Sequence, residues 1–169
     1  RLISGYQENG EDFNPEVGFV RRTAFRKYDV GLRNTSRPDG LFKMQELTPH
    51  MSFTRFWNFD GIMETSFLHL HFPVEFEDST SVGLAYDVRT EEVLSSFAVS
   101  GLVIPPGHYD FNELTYSYNS NRSAPISLGL RATTAGFFGG DIVTVRPSLN
   151  ARYGETFNLG VSYSRNDID

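Results

Sequence analysis

The feature that most constrains the fold of this chain is an alternation of apolar and polar residues with a period of two. The alternation restarts at least six times between turns, and it is clearest over residues 126–133, 143–153 and 157–164. Successive side chains of a strand point to opposite faces, so each segment has one apolar face and one polar face. The pattern predicts an all-β, antiparallel up-and-down meander.

Composition narrows the class of protein further. The 169 residues fit one domain, 14% of them are aromatic, and Phe (15) and Tyr (8) dominate, which favours strands over helices. The net charge of −6 argues against a nucleic-acid partner. The chain has no Cys, which excludes disulfides and thiolate catalysis, and it has no apolar run of roughly 20 residues.

Turn signals divide the chain into about nine strand candidates. Residues 1–7 can form the first strand, and turns are predicted at 37–40, at Asp60-Gly61 and at 77–80. Residues 90–107 interrupt the alternation and predict a loop with one short strand. Residues 136–164 predict two hairpin-linked strands that follow a turn at Gly139-Gly140.

The pattern alone leaves two architectures open, part of a membrane barrel or a soluble β-sandwich. Several strand candidates reach about ten residues, the length that crosses a bilayer when tilted, whereas a sandwich strand is nearer five or six. The polar faces carry Arg131, Arg146 and Arg152, which suit either a hydrated lumen or the outside of a soluble sheet. Tyrosines on the apolar faces resemble an interfacial girdle: Tyr86, Tyr116, Tyr118, Tyr153 and Tyr163.

Five motifs resemble an uncharacterised bacterial family, in that family's order. They are DFNPEVGFVRR at 12–22, SRP at 36–38, VIPPGHY at 103–109, GFFGGD at 136–141 and VSYSRND at 161–167. Members of that family join an N-terminal domain similar to family-nine carbohydrate-binding modules to a C-terminal outer-membrane β-barrel-like domain of unknown function. The resemblance implies that this chain is part of the C-terminal domain.

The chain departs from the family at both ends. It starts at Arg1 without the carbohydrate-binding module, and it stops at Asp169, where the family continues through more strands. We expect residues 1–169 to form a single β-domain that is a fragment of a larger chain.

Together, pattern and resemblance predict a non-enzymatic outer-membrane β-barrel segment. It would anchor or present a carbohydrate-binding module, or form a ligand passage, with membrane lipid, carbohydrate or other envelope proteins as partners. The alternative is a soluble structural or accessory β-domain of a larger assembly, located in the periplasm. A glycan hydrolase is the least favoured function.

The histidines do not by themselves predict a metal site. His69 and His71 lie two apart on one strand face, a spacing that can hold a metal if a third ligand such as Glu75 is present. The sequence fixes no third ligand, and His50 and His108 are isolated in it. We therefore predict that His69 and His71 are hydrogen-bonded lumen or surface residues, with no catalytic metal and no cofactor.

The sequence also predicts no catalytic residues. Glu91 and Glu92 are adjacent and should point to opposite faces, while Glu75 and Glu77 share a face but lead into a turn. No Gly-x-Ser-x-Gly elbow, dinucleotide fingerprint or phosphate loop is present.

One aromatic group is a weak candidate for ligand binding. Phe53, Trp57 and Phe59 would share a strand face and could stack on a sugar ring, although an aromatic girdle or a core patch is the favoured interpretation.

Overall fold

The computed structural model describes residues 1–13, 24–40, 42–99, 102–137 and 140–168, and this part of the chain is all-β. The strands are β1 (Leu2–Asn9), β2 (Phe25–Arg33), β3 (Met44–Leu47), β4 (His50–Trp57), β5 (Met63–Phe76), β6 (Ser81–Val93), β7 (Phe97–Val99), β8 (Leu102–Ile104), β9 (Gly107–Asn119), β10 (Ile126–Phe137), β11 (Gly140–Tyr153), β12 (Phe157–Ser162) and β13 (Arg165–Ile168). Within the described residues, no helix is long and apolar enough to cross a membrane.

The strands form one large antiparallel meander, as the alternation predicts. Nine strands follow each other in the order β1-β2-β4-β5-β6-β9-β10-β11-β12, while β3 pairs with β5 and β13 pairs with β11. The remaining two, β7 and β8, form a separate hairpin. The path is open, because β1 and β12 do not pair with each other among the described strands.

The predicted turns lie where the sequence places them. Gly61 has a φ of +81° between β4 and β5, and the side-chain oxygen of Asn58 accepts a hydrogen bond from the Ile62 N–H at 2.9 Å. Between β5 and β6, Asp78 accepts a hydrogen bond from the Thr80 backbone N–H at 2.9 Å. That hydrogen bond lowers the pKa of the Asp78 carboxyl, because it stabilises the charged form.

The prediction for residues 90–107 needs correction. The alternation continues to Val93 because β6 stays paired with β9 along its whole length, from Ser81↔Asn119 to Val93↔Gly107. Two short strands, not one, follow in the connection, where Phe97↔Ile104 and Val99↔Leu102 are partners. Within the described residues there are thirteen strands instead of about nine.

The last two strands confirm the hairpin predicted over 136–164 and show why it is interrupted. Both β12 and β13 pair with β11 in one continuous register, from Tyr153↔Phe157 to Ile142↔Ile168. The break falls opposite Pro147, whose carbonyl accepts from the Tyr163 N–H at 3.1 Å but which has no N–H to return. Gly140 begins β11, and Gly139 lies outside the described residues.

The two faces of the sheet differ in polarity. We call the face that carries Leu84, Leu114 and Leu128 the outer face, and the face that carries His69, Asp87 and Thr115 the inner face. Large apolar side chains of the outer face are exposed, among them Leu32, Phe72, Leu84, Leu114, Leu128, Val143, Leu149, Leu159 and Val161. In the described part of the chain only two hydrophobic residues, Phe25 and Ile104, are buried.

The inner face is the more sheltered one along β9, whereas β4 is half-buried on both faces and β12 is exposed on both. Along β9 the exposure alternates: Asp110, Asn112, Leu114 and Tyr116 are exposed, while the residues between them are half-buried or, at Thr115, buried. Thr115 donates or accepts a hydrogen bond with the Thr133 hydroxyl at 2.9 Å. Polar groups thus line the protected side of the sheet.

Turn geometry at Gly61 gives a direct test of this fold. An added Cβ meets no heavy atom within 4 Å at Gly61 or at Gly10, but only Gly61 has a left-handed φ. We expect Gly61→Ala to lower the free energy of unfolding by about 1–2 kcal/mol and Gly10→Ala to leave it nearly unchanged. Equilibrium denaturant unfolding measures both, and equal effects would contradict the hairpin described here.

Candidate functional site: a histidine cluster on the inner face

Three histidines from two neighbouring strands meet on the inner face. His69 and His71 lie on β5, and His50 begins β4, where it is the register partner of His71. Side chains two apart on a strand share a face, and a cross-strand partner lies beside them. The hairpin at Gly61 therefore brings together residues that are 19 and 21 positions apart in the sequence.

The rings are close enough to act together. The ring centroids of His50 and His71 are 4.9 Å apart, those of His50 and His69 5.6 Å, and those of His69 and His71 5.7 Å. One nitrogen from each ring lies within 4.8 Å of the other two. All three side chains are half-buried.

Two of the rings are oriented by acceptors outside the cluster. The Nδ1 of His50 lies 3.1 Å from the Thr48 carbonyl oxygen, and the Nδ1 of His69 lies 2.5 Å from Oδ1 of Asp87. Both partners only accept, so each Nδ1 carries the proton and donates. In the neutral rings the lone pair is then on Nε2.

Space for the third ring comes from Gly83 on β6. A Cβ at Gly83 would lie 3.0 Å from Nε2 of His71 and 2.7 Å from the Ser117 hydroxyl oxygen, both tighter than ordinary contacts. The missing side chain at Gly83 lets the His71 imidazole lie over the sheet.

A cavity of about 820 Å³ lies beside Asp87, and none of the three histidines lines it. Asp87, the partner of His69, is among its lining residues, which include Phe67, Arg89, Glu91, Phe111 and Glu113. The Arg89 guanidinium lies 5.3 Å from the centre of the Phe67 ring. Asp87 is the link between this cavity and the cluster.

Glu91 and Glu92, the adjacent carboxylates weighed above as a catalytic pair, have separate partners. Glu91 accepts a hydrogen bond from the Thr65 hydroxyl at 2.8 Å, while Glu92 pairs with His108 at 3.0 Å. They point to opposite faces, as predicted, since Thr65 and His108 belong to opposite faces of the sheet. The three-histidine group does not include Glu75.

The predicted aromatic group lies at one end of the outer face. Phe53 and Trp57 do share a face of β4, and the Arg55 guanidinium lies 5.2 Å from the Phe53 ring centre and 5.8 Å from that of Trp57. Phe59 follows the strand and has Arg26 at 4.6 Å from its ring centre. Arginines stack against all three rings, and sugar binding there stays a prediction.

Sequence reasoning missed His50. It is isolated in the sequence but not in the fold, where it supplies the third candidate ligand that the sequence does not fix for His69 and His71. The missing information was the register between β4 and β5. The turn signal at Asp60-Gly61 gives this register only if residues are paired one by one on both sides of the turn, as far as His50 and His71.

Comparison of the chain with family models, with curated proteins and with solved structures finds no match. Of the motifs that carry the family resemblance, most of DFNPEVGFVRR lies at residues 14–22, outside the described part of the chain. The resemblance therefore stays an expectation from sequence.

The role of Gly83 can be tested without any ligand. We expect Gly83→Ala to displace the His71 ring, to shift its imidazole NMR resonances and to destabilise the fold by about 1 kcal/mol through overpacking. Gly31→Ala is the control, because the nearest atom to its Cβ, the Met51 carbonyl oxygen, is 4.0 Å away. An unmoved His71 resonance in Gly83→Ala would contradict the described ring position.

Proposed function

We propose that this chain is a non-enzymatic segment of a bacterial outer-membrane β-barrel. The single observation that carries the proposal is the polarity of the sheet, whose outer face exposes large apolar side chains while, along β9, its inner face shelters polar ones. Contiguous apolar patches on soluble monomers rarely exceed a few hundred Å². In a membrane barrel, lipid covers such a face.

The height of the apolar face fits a bilayer. On β5 the outer residues Leu68 to Phe76 span about 27 Å along the strand, at about 3.4 Å per residue. A strand tilt of about 40° reduces this to roughly 20 Å, close to the lipid-facing band of about 25 Å in outer-membrane barrels.

A polar row ends the apolar face on one side. Ser66, Thr90 and Asp110 are successive register partners on the outer face, and the Thr90 hydroxyl donates to Asp110 at 2.7 Å. Just inside this row, the Tyr86 hydroxyl donates to the side chain of Asn112 at 3.2 Å. A ring with an apolar body and a hydrogen-bonded tip at this height supports a membrane–water boundary.

Arg55, which is the register partner of Ser66, extends the same boundary to β4. Its guanidinium stacks between Phe53 and Trp57, so the three side chains form an aromatic and cationic patch at the end of the apolar face. Such side chains are favoured at the interface, where one end is apolar and the other is wet.

The inner face supports a hydrated passage. Arg131 and Arg146 are direct register partners, and like charges placed opposite each other destabilise a sheet unless water screens them. The cavity beside Asp87 provides room on the same face. Presentation of a carbohydrate-binding module, the other role we propose, is supported by the motif resemblance and not by these contacts.

Reconstitution tests the proposal directly. The unfolded chain is diluted into lipid vesicles and, separately, into detergent-free buffer, and strand content, protease protection and sedimentation are compared. We expect folding and protection only with lipid. Cooperative folding to a monodisperse species in plain buffer would overturn the membrane proposal and support the alternative, a soluble β-domain of a periplasmic assembly.

Charge substitutions on β12 distinguish lipid from water as the surroundings of the outer face. Leu159 and Asn158 are neighbours on β12, are both exposed, and point to opposite faces of the sheet. We expect Leu159→Arg to destabilise the vesicle-folded protein by about 2–4 kcal/mol if it lies near the bilayer midplane, and Asn158→Arg to cost much less. Folding titrations in vesicles measure both, and equal costs would argue against a lipid-facing Leu159.

A further inference from the structure

We propose that His50, His69 and His71 bind one divalent late transition-metal ion on the inner face, with Zn²⁺ as the reference ion. This inference does not rest on the membrane proposal, since the β4–β5 hairpin builds the cluster in any environment in which the chain folds. It replaces the expectation of no metal, whose premise was the absence of a third ligand.

The donor set points to this class of metal. Three imidazoles within 4.8 Å, with no carboxylate among them, suit Zn²⁺, Cu²⁺ and Ni²⁺ and do not suit Mg²⁺ or Ca²⁺, which take oxygen ligands. Tetrahedral coordination at a Zn–N distance of about 2.1 Å places the nitrogens about 3.4 Å apart. Binding would therefore draw the ligand nitrogens together by up to about 1.4 Å.

The surroundings already fix two of the ligands in the metal-binding form. Metal-bound histidines almost always donate their other N–H to a carboxylate or a backbone carbonyl. His69 donates to Asp87 and His50 donates to the Thr48 carbonyl, so both rings direct Nε2 away from these partners. Histidines without a metal need no acceptors placed in this way, with one behind each of two neighbouring rings.

Charge on the inner face is mixed around the cluster. Arg33 is the register partner of His50, and Arg131 lies across from Ser117, so both place positive charge on the same face. The Asp87 carboxylate offsets part of this charge next to His69. Three protein ligands leave a fourth position for water.

Calorimetric titration of the full chain with ZnCl₂ after chelator treatment tests the site, in vesicles, micelles or buffer, wherever the chain folds. We expect one ion per chain, and an affinity at least tenfold lower in His50→Gln and in His69→Gln. His108→Gln is the matched control, because His108 pairs with Glu92 on the outer face and lies outside the cluster. Wild-type affinity in either cluster variant overturns the proposal.

Asp87 is assigned as a positioning residue for His69, and it has its own test. Asp87→Asn keeps an acceptor but removes the charge, and we expect a zinc affinity lower by about tenfold, at the weak end of the range for residues that hydrogen-bond a metal ligand. Unchanged affinity would overturn this assignment of Asp87.

X-ray absorption of the zinc-loaded wild-type protein needs no variant to fold. Three imidazole ligands are expected, and fewer than three would overturn the site. Because failure here leaves the vesicle-folding result untouched, the metal proposal and the membrane proposal can fail separately.

Discussion

The rest of this structure depends on the antiparallel hydrogen-bond ladder, because the sheet has almost no apolar interior. Among the described residues only Phe25 and Ile104 form a buried apolar core, too little to offset the entropy of ordering a domain of this size. Backbone pairing from β1 to β12 fixes the architecture, and the apolar outer face can stabilise it only when something other than water covers that face.

The ladder also explains the edges. Nothing among the described strands pairs with the free side of β1, and on the opposite edge β12 and β13 share one register that breaks at Pro147. Open edges expose unpaired N–H and C=O groups, which a bilayer does not tolerate. In the barrel we propose, both edges must therefore be paired, β1 and β12–β13 either with each other or with other strands.

Local features of the fold could be predicted from sequence, and long-range ones could not. The alternation predicts β10 to β12, and the Asp60-Gly61 dipeptide predicts the turn at Gly61. Both signals are contained within a few neighbouring residues. The full extent of β6 to Val93 could not be predicted, since its continuation depends on pairing with the distant Gly107. The place of His50 in the cluster was missed for the same reason. Its partners His69 and His71 lie on the other strand of a hairpin, and the sequence alone does not give the register of that hairpin.

The inner face combines features that a merely solvent-exposed polar surface does not need. Gly83 omits a side chain beneath His71, and Asp87 holds His69 while also lining the cavity. Hydrogen bonding alone requires only that each half-buried ring has one partner, and it does not require three rings to converge. A metal ion gains from such support directly, because every ring held in place lowers the entropy lost when the ion binds. The polarity of the sheet therefore supports the membrane location that we propose, and the contacts around the histidines support the metal site that we propose.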